Sequence, residues 1–129
     1  MATMLVVAGV MKKDGLFMAY QRPEGKEHAG KWEFPGGKFE EGESPEQALK
    51  RELMEELDVR VTVGPVLDVI RRTDQGKDIL LLFYSCETQD TPRPLENGTV
   101  RFMPKEDLAL LDLAPMDRLF VSRGALDRA

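Results

Sequence analysis

One cysteine, Cys86, one histidine, His28, and one tryptophan, Trp32, are all that 129 residues carry of those three types. A single thiol permits no intrachain disulfide, and such cysteine usage fits a reducing cytoplasm. There is likewise no Ser-His or Cys-His signature of a nucleophilic enzyme. The longest apolar runs, such as Ile79 to Tyr84, fall far below the roughly 20 residues that span a bilayer, so no membrane partner is expected. No charged n-region, apolar h-region and small-residue cleavage site open the sequence, which predicts a protein that is not secreted. Positive charge is also in deficit, with 18 Lys and Arg against 23 Asp and Glu and a formal net charge of −5. That balance argues against a protein that coats a nucleic-acid polymer by bulk charge. It leaves a small anionic substrate open, because a bound divalent cation inverts the local field.

What is present is ordinary globular material. Hydrophobic residues make up 42% and charged residues 32%, usage that excludes disorder and collagen-like repeats. The length predicts one domain over residues 1–129, burying about two-thirds of the surface of the unfolded chain. Met4 to Met11 is an apolar, β-rich run, and Asp14-Gly15 is a hairpin signal leading into Leu16 to Gln21. Arg22 to Lys31 reads as a loop, and Phe34-Pro35-Gly36-Gly37 as a glycine turn.

Ser44-Pro45-Glu46-Gln47 is the clearest local signal: a serine cap, a proline at the first helical position and a glutamine that completes a capping box. The spacing predicts a helix from Pro45 to Leu57, followed by a β-branched run to Val63 and punctuation at Gly64-Pro65. Strands are expected over Val66 to Arg72, Ile79 to Cys86 and Thr99 to Met103, with a turn at Asp74 to Lys77. Thr88 to Gly98 reads as a loop long enough to be functional. Short helices are expected over Pro104 to Leu111 and from Pro115 to Leu126. The fold class is α+β or mixed α/β.

On the Pro45–Leu57 helix, Glu52, Glu55 and Glu56 stand at i, i+3 and i+4, inside a sector about 100° wide. Leu49, Leu53 and Leu57 form the adjoining apolar stripe. A charge run on a helix is ordinarily a solvated face. Here the acids abut the buried stripe instead of lying opposite it, and a glycine pair stands directly upstream. Oxygen ligands of this kind suit Mg²⁺, with Mn²⁺ possible, cations that bridge carboxylates and substrate phosphates.

From Gly37 to Val59 the segment runs G-x5-E-x7-R-E-L-x-E-E-x-D-V. It resembles the Nudix box, in which the position of Asp58 is a glycine; aspartate also tolerates the backbone conformation that ends a helix. Gln21-Arg22-Pro23 and Lys31-Trp32-Glu33-Phe34-Pro35-Gly36-Gly37-Lys38 resemble the MutT branch of that family. That branch includes oxidised-guanine-nucleotide and CTP pyrophosphatases. The resemblance implies an α/β/α sandwich on a mixed β-sheet and Mg²⁺-dependent hydrolysis of nucleoside triphosphates to NMP and pyrophosphate. Substrates of the 8-oxo-dGTP kind are favoured, with CTP or dCTP next and other nucleoside diphosphate derivatives behind. A Nudix-like module that only binds a ligand is the rival of another class; it would be expected to lose the metal-binding glutamates, all of which are kept. The resemblance leaves monomer and homodimer both open.

It also implies roles. Glu52, Glu55 and Glu56 would be metal ligands beside the Gly36 carbonyl, and Arg51 would orient a neighbouring glutamate. Glu96, in the long loop, would approach the metals with substrate and is a candidate general base. Arg22, Phe34 and Asp117 would line the nucleobase pocket, with Phe34 either stacking or core. Lys38 reads as a phosphate contact or an exposed lysine. Glu43 reads as a contact to metal through water or as a favourable charge at the helix N-terminus. Trp32 reads as packing, and His28 carries no assignment.

Overall fold

The structure, a computed structural model, describes residues 2–129. Strands β1 (Thr3–Lys13) and β2 (Leu16–Gln21) form a hairpin over Asp14 and Gly15, whose φ angles of 52° and 78° suit an Asp-Gly turn. After β3 (Trp32–Glu33) and β4 (Gly36–Lys38) comes α1 (Pro45–Leu57). Strands β5 (Thr62–Asp74) and β6 (Lys77–Glu87) form a second hairpin, over Gln75 and Gly76, and β7 (Thr99–Met103), α2 (Lys105–Leu108), α3 (Pro115–Ser122) and a 3-10 turn at Ala125–Arg128 complete the chain.

The sheet runs β3-β2-β1-β6-β5, with β4 paired to β1 and β7 to β2. It is mixed, because β1 and β6 pair in parallel from Thr3↔Asp78 to Met11↔Cys86 while β5 pairs with β6 antiparallel. Strand alternation splits the core in two. Val7 and Met11 of β1, with Tyr84 and Cys86 of β6, face Leu49, Leu53 and Leu57 of α1. Ala8, Val10 and Phe83 face the other way, onto Phe34, Leu108, Phe120 and Leu126. Helices therefore cover both faces, and the fold is the expected α/β/α sandwich on a mixed sheet.

The capping box is present: the Ser44 hydroxyl accepts from the Gln47 amide at 3.2 Å, and the Gln47 side chain accepts from the Ser44 amide at 2.9 Å. At the other end Asp58 adopts φ 55°, ψ 42°, the left-handed helix-ending conformation. Four expectations are corrected. Gly64-Pro65 does not break the chain into two strands; it falls inside β5, where the register shifts between Val63 and Val66. Proline is tolerated there because the strand lies at the sheet edge and is bulged. The helix expected over Pro104 to Leu111 is one turn, Lys105–Leu108, and the last helix stops at Ser122, before Gly124 turns left-handed at φ 77°.

The fourth correction concerns the glycine pair. Gly36–Lys38 is not a turn but strand β4, paired with Val6 to Ala8 of β1, and neither glycine has a positive φ. Close approach explains the residue type. A Cβ on Gly36 would lie 1.9 Å from the Val7 carbonyl oxygen, and one on Gly37 would lie 2.3 Å from Cδ of Glu52. The pair is there to let a strand and a carboxylate come near.

Candidate active site

Strand β4 and helix α1 pack side by side, so the Glu52 carboxylate rests against the Gly37 backbone. Its neighbour Arg51 is the cation of this region. Nε donates to Glu43 Oε2 at 2.7 Å and Nη2 to Glu43 Oε1 at 3.0 Å. Nη1 donates to Glu52 at 3.0 Å and to Glu55 at 3.3 Å, while Nη2 also donates to the Lys38 carbonyl at 3.0 Å. The bond to Glu43 first, and then the contact with Glu52, hold the guanidinium charged far beyond need. Arg51 thus bonds Glu52 and, through two nitrogens, Glu43. Glu43 is Arg51's bidentate partner and accepts the Glu40 amide at 2.8 Å.

Glu56 lies on the other side. It belongs to a cavity of about 190 Å³ lined by Tyr20, Arg22, Pro23, Lys26, Glu33, Glu56 and Glu96. The Arg22 guanidinium in the same cavity offsets its charge only in part. Oε2 of Glu56 is buried without a hydrogen-bond partner, and burial first, then Glu52, Glu33 and Glu96, push its carboxyl up to about 9. Glu52 is raised as well, by burial above all, although Arg51 works against the shift. Among the described residues no three acids close into one metal-binding shell, since Arg51 draws Glu52 and Glu55 toward itself. The donor set nevertheless fits a hard divalent cation. All the groups are oxygens, one carboxylate oxygen is buried and unpartnered, and the mutual repulsion of the acids calls for positive charge.

The residues expected around a base separate. Arg22 is at the cavity and bonds Glu33 through Nε at 2.7 Å. The Phe34 ring is not in the pocket: it is 3% exposed and packs edge-on against Phe120 and Phe83, with centroids 5.4 and 6.3 Å away. The core reading holds, because an apolar ring gains most where three aromatic rings already meet. Asp117 is buried on α3 and accepts the Phe34 amide at 2.9 Å. Burial pushes its carboxyl up to about 7, with the Phe34 amide opposing. Trp32 is packing, with Arg101 over its ring at 5.6 Å. Lys38 and Glu96 are exposed, as is His28 beside Glu27.

Four lining residues were given no site role by the reading of the sequence: Tyr20, Pro23, Lys26 and Glu33. Glu33 carried a signal, since a lone acid between Trp32 and Phe34 in an apolar run points to the face opposite theirs. Tyr20 and Lys26 carried none.

Fold and site together define a hydrolase domain whose acidic helix and facing pocket suit a metal and an anionic substrate. The NUDIX domain matches residues 2–123, and the chain belongs to the Nudix hydrolase family. Nudix hydrolases use a divalent metal and act on small nucleotide substrates. The chain is 37% identical to a CTP pyrophosphohydrolase of Escherichia coli K12, over 87% of this chain and 84% of that one. It is 44% identical to a putative 8-oxo-dGTP diphosphatase 2 of Mycobacterium tuberculosis, over 95% and 88%. The solution structure of the E. coli ORF135 protein superposes with a TM-score of 0.84 at 35% identity, covering 100% of this chain and 93% of that one. No helix is long and apolar enough to cross a membrane among the described residues.

Proposed function

We propose that this protein is a Mg²⁺-dependent nucleoside triphosphate pyrophosphohydrolase, a single domain acting in the cytoplasm as a monomer or homodimer. It releases a nucleoside monophosphate and pyrophosphate, with oxidised guanine nucleotides such as 8-oxo-dGTP as the favoured substrates. One observation carries the reading: the buried Oε2 of Glu56, without a hydrogen-bond partner, in a cavity shared with Glu96, Arg22 and Lys26. The names of the relatives support it.

Glu52, Glu55 and Glu56, with the Gly36 carbonyl and Glu96, are the groups to hold Mg²⁺. Once bound, the ion neutralises phosphate charge and acidifies water. Water oxygen bonds to the β-phosphorus, the bond from that phosphorus to the α,β-bridging oxygen breaks, and the monophosphate leaves with the bridging oxygen. Glu96 takes the proton that the water loses. Arg22 and Lys38 meet the phosphates as fixed positive charge, and Arg51 keeps Glu52 in place. Such chemistry is mostly positioning and charge stabilisation, so the lack of a nucleophilic side chain is no obstacle.

Asp117 favours a base edge rich in N–H donors when ionised and can donate when protonated. A carboxyl that titrates near 7 offers both forms, which keeps cytidine nucleotides as the second reading. The test is kcat/KM for 8-oxo-dGTP, dGTP, CTP, dCTP and a nucleotide sugar with Mg²⁺, with phosphate products separated. Pyrophosphate and monophosphate from the first substrate are expected. Orthophosphate release, or turnover of the nucleotide sugar alone, would overturn the assignment.

A further inference from the structure

The loop 88–98 is fastened at two points, and Glu96 lies between them. Upstream, it covers the end of α1. The last carbonyls of a helix lack partners within it, and here Leu57 accepts the Arg93 amide at 2.8 Å while Glu56 accepts the Leu95 amide at 2.9 Å. The Arg93 guanidinium then donates to the Asp58 carboxylate at 2.7 Å. Downstream, the Tyr20 ring lies on Gly98 so closely that a Cβ there would stand 2.2 Å from the phenol oxygen. Asn97 turns left-handed at φ 64° just before it.

Asp58 is the departure from the Nudix box, and its chemistry has a consequence. A glycine would supply the left-handed turn and nothing more. An aspartate supplies the turn and adds negative charge at the negative end of the helix dipole, which is unfavourable unless a cation answers it. Arg93 is that cation. Both side chains are largely exposed, so the pair adds little to stability. Its place is what matters: it ties the residue three before Glu96 to the residue two after Glu56.

We infer that Asp58 and Arg93 are positioning residues, which hold the loop on the end of α1 and thereby fix Glu96 relative to Glu56. The inference rests on the reading of Glu96 as the proton acceptor. Asp58→Asn keeps a residue that tolerates the left-handed turn and removes the charge. It is expected to lower kcat by about three- to tenfold, since a displacement near 1 Å costs up to about 100-fold. KM and melting temperature stay at parental values. Arg93→Ala does the same, and Arg93→Lys restores most of the rate. Hydrogen exchange at the Arg93 and Leu95 amides quickens in Asp58→Asn. In a Glu96→Gln background, Asp58→Asn brings no further loss, because both changes act on one group. Unchanged exchange, or a full additional loss in the Glu96→Gln background, would overturn the positioning role. Parental kcat in Asp58→Asn beside an impaired Glu96→Gln would overturn this inference alone. Parental kcat in Glu96→Gln itself would remove the Glu96 assignment and the inference with it.

Discussion

Two sets of carboxylates meet around helix α1 and have opposite fates. Glu43, Glu52 and Glu55 gather around Arg51, each with a nitrogen within 3.3 Å. Glu56, one turn on from Glu52, has a buried oxygen with no partner and faces Glu33 and Glu96 in the cavity. The first set shares one guanidinium, which ties its acids into a frame. The second is left in deficit of positive charge. Burial of an uncompensated acid costs stability, and Glu56 limits that cost by holding its proton, its carboxyl pushed up to about 9. The difference is one of partners: the first set is tied to a cation of the protein's own, and the second lines the cavity.

The sharpest way to break the comparison is to neutralise one acid from each set. Glu56→Gln is expected to lower kcat about 100-fold or more, the scale of losing a metal ligand or its orientation. Glu55→Gln, whose side chain is 55% exposed and answered by Arg51, should lose about tenfold on the same scale. Without metal, Glu56→Gln should fold as well as the parent, since a carboxyl pushed up to about 9 is already protonated at neutral pH. Mg²⁺ should raise the melting temperature of the parent and not of Glu56→Gln, because only a ligand bound to the native state stabilises it. Initial rates and thermal melts with Mg²⁺ and with chelator decide this. Equal rates for parent and Glu56→Gln would dissolve the distinction.

The next prediction attacks the frame. Arg51→Met leaves Glu43 and Glu52, whose side chains are 17% and 16% exposed, without their cation. A clear loss of stability is expected, smaller than that of breaking a fully buried pair. Adding Glu43→Gln should recover part of it, since one unanswered charge is gone. Urea unfolding of the three proteins measures both terms.

How much of this was legible beforehand follows the range of the interactions. The capping box, the Asp-Gly hairpin and the left-handed Asp58 are local, and local chemistry announces them. The acid face of α1 was legible because its period is fixed by the helix. The role of the glycine pair was not, since Gly37 is needed for a carboxylate fifteen positions away in sequence. Continuity of β5 through Gly64-Pro65 depends on β6 lying beside it, and burial of Phe34 depends on Phe83 and Phe120. Such contacts are made only once the sheet has formed. The pocket positions of Tyr20 and Lys26 were silent for the same reason.

A pH-dependent effect is expected at Asp117. Its folded carboxyl lies at about 7, above its ordinary value, so the native state binds a proton that the unfolded chain has released at intermediate pH. The resulting stability is fully present below the unfolded pKa, near 4, and is lost as pH rises through about 7. Asp117→Asn keeps an oxygen for the Phe34 amide and cannot ionise. Parent and variant should melt together at pH 4, and the variant should be the more stable at pH 8.5, by roughly 1–3 kcal/mol. Parallel melting curves across that range would mean that Asp117 titrates normally.

The smallest effect is expected at Lys38, which stands at the border of the two sets. Its carbonyl is used by Arg51, whereas its exposed side chain makes no hydrogen bond or ion pair among the described residues. Lys38→Ala keeps the carbonyl, so the frame around Arg51 and the melting temperature should be untouched. If the ammonium meets a substrate phosphate, it does so as an exposed point charge worth about 0.5–1 kcal/mol. That corresponds to a KM about two- to fivefold higher with kcat unchanged, the mark of binding lost equally from ground and transition states. Screening supplies the control, because the Debye length shrinks from about 30 Å at 0.01 M salt to about 3 Å at 1 M. The KM difference between parent and Lys38→Ala should therefore be present in dilute buffer and vanish at high salt. Identical KM values in dilute buffer would make Lys38 a solvated lysine and leave Arg22 as the substrate-side cation to test.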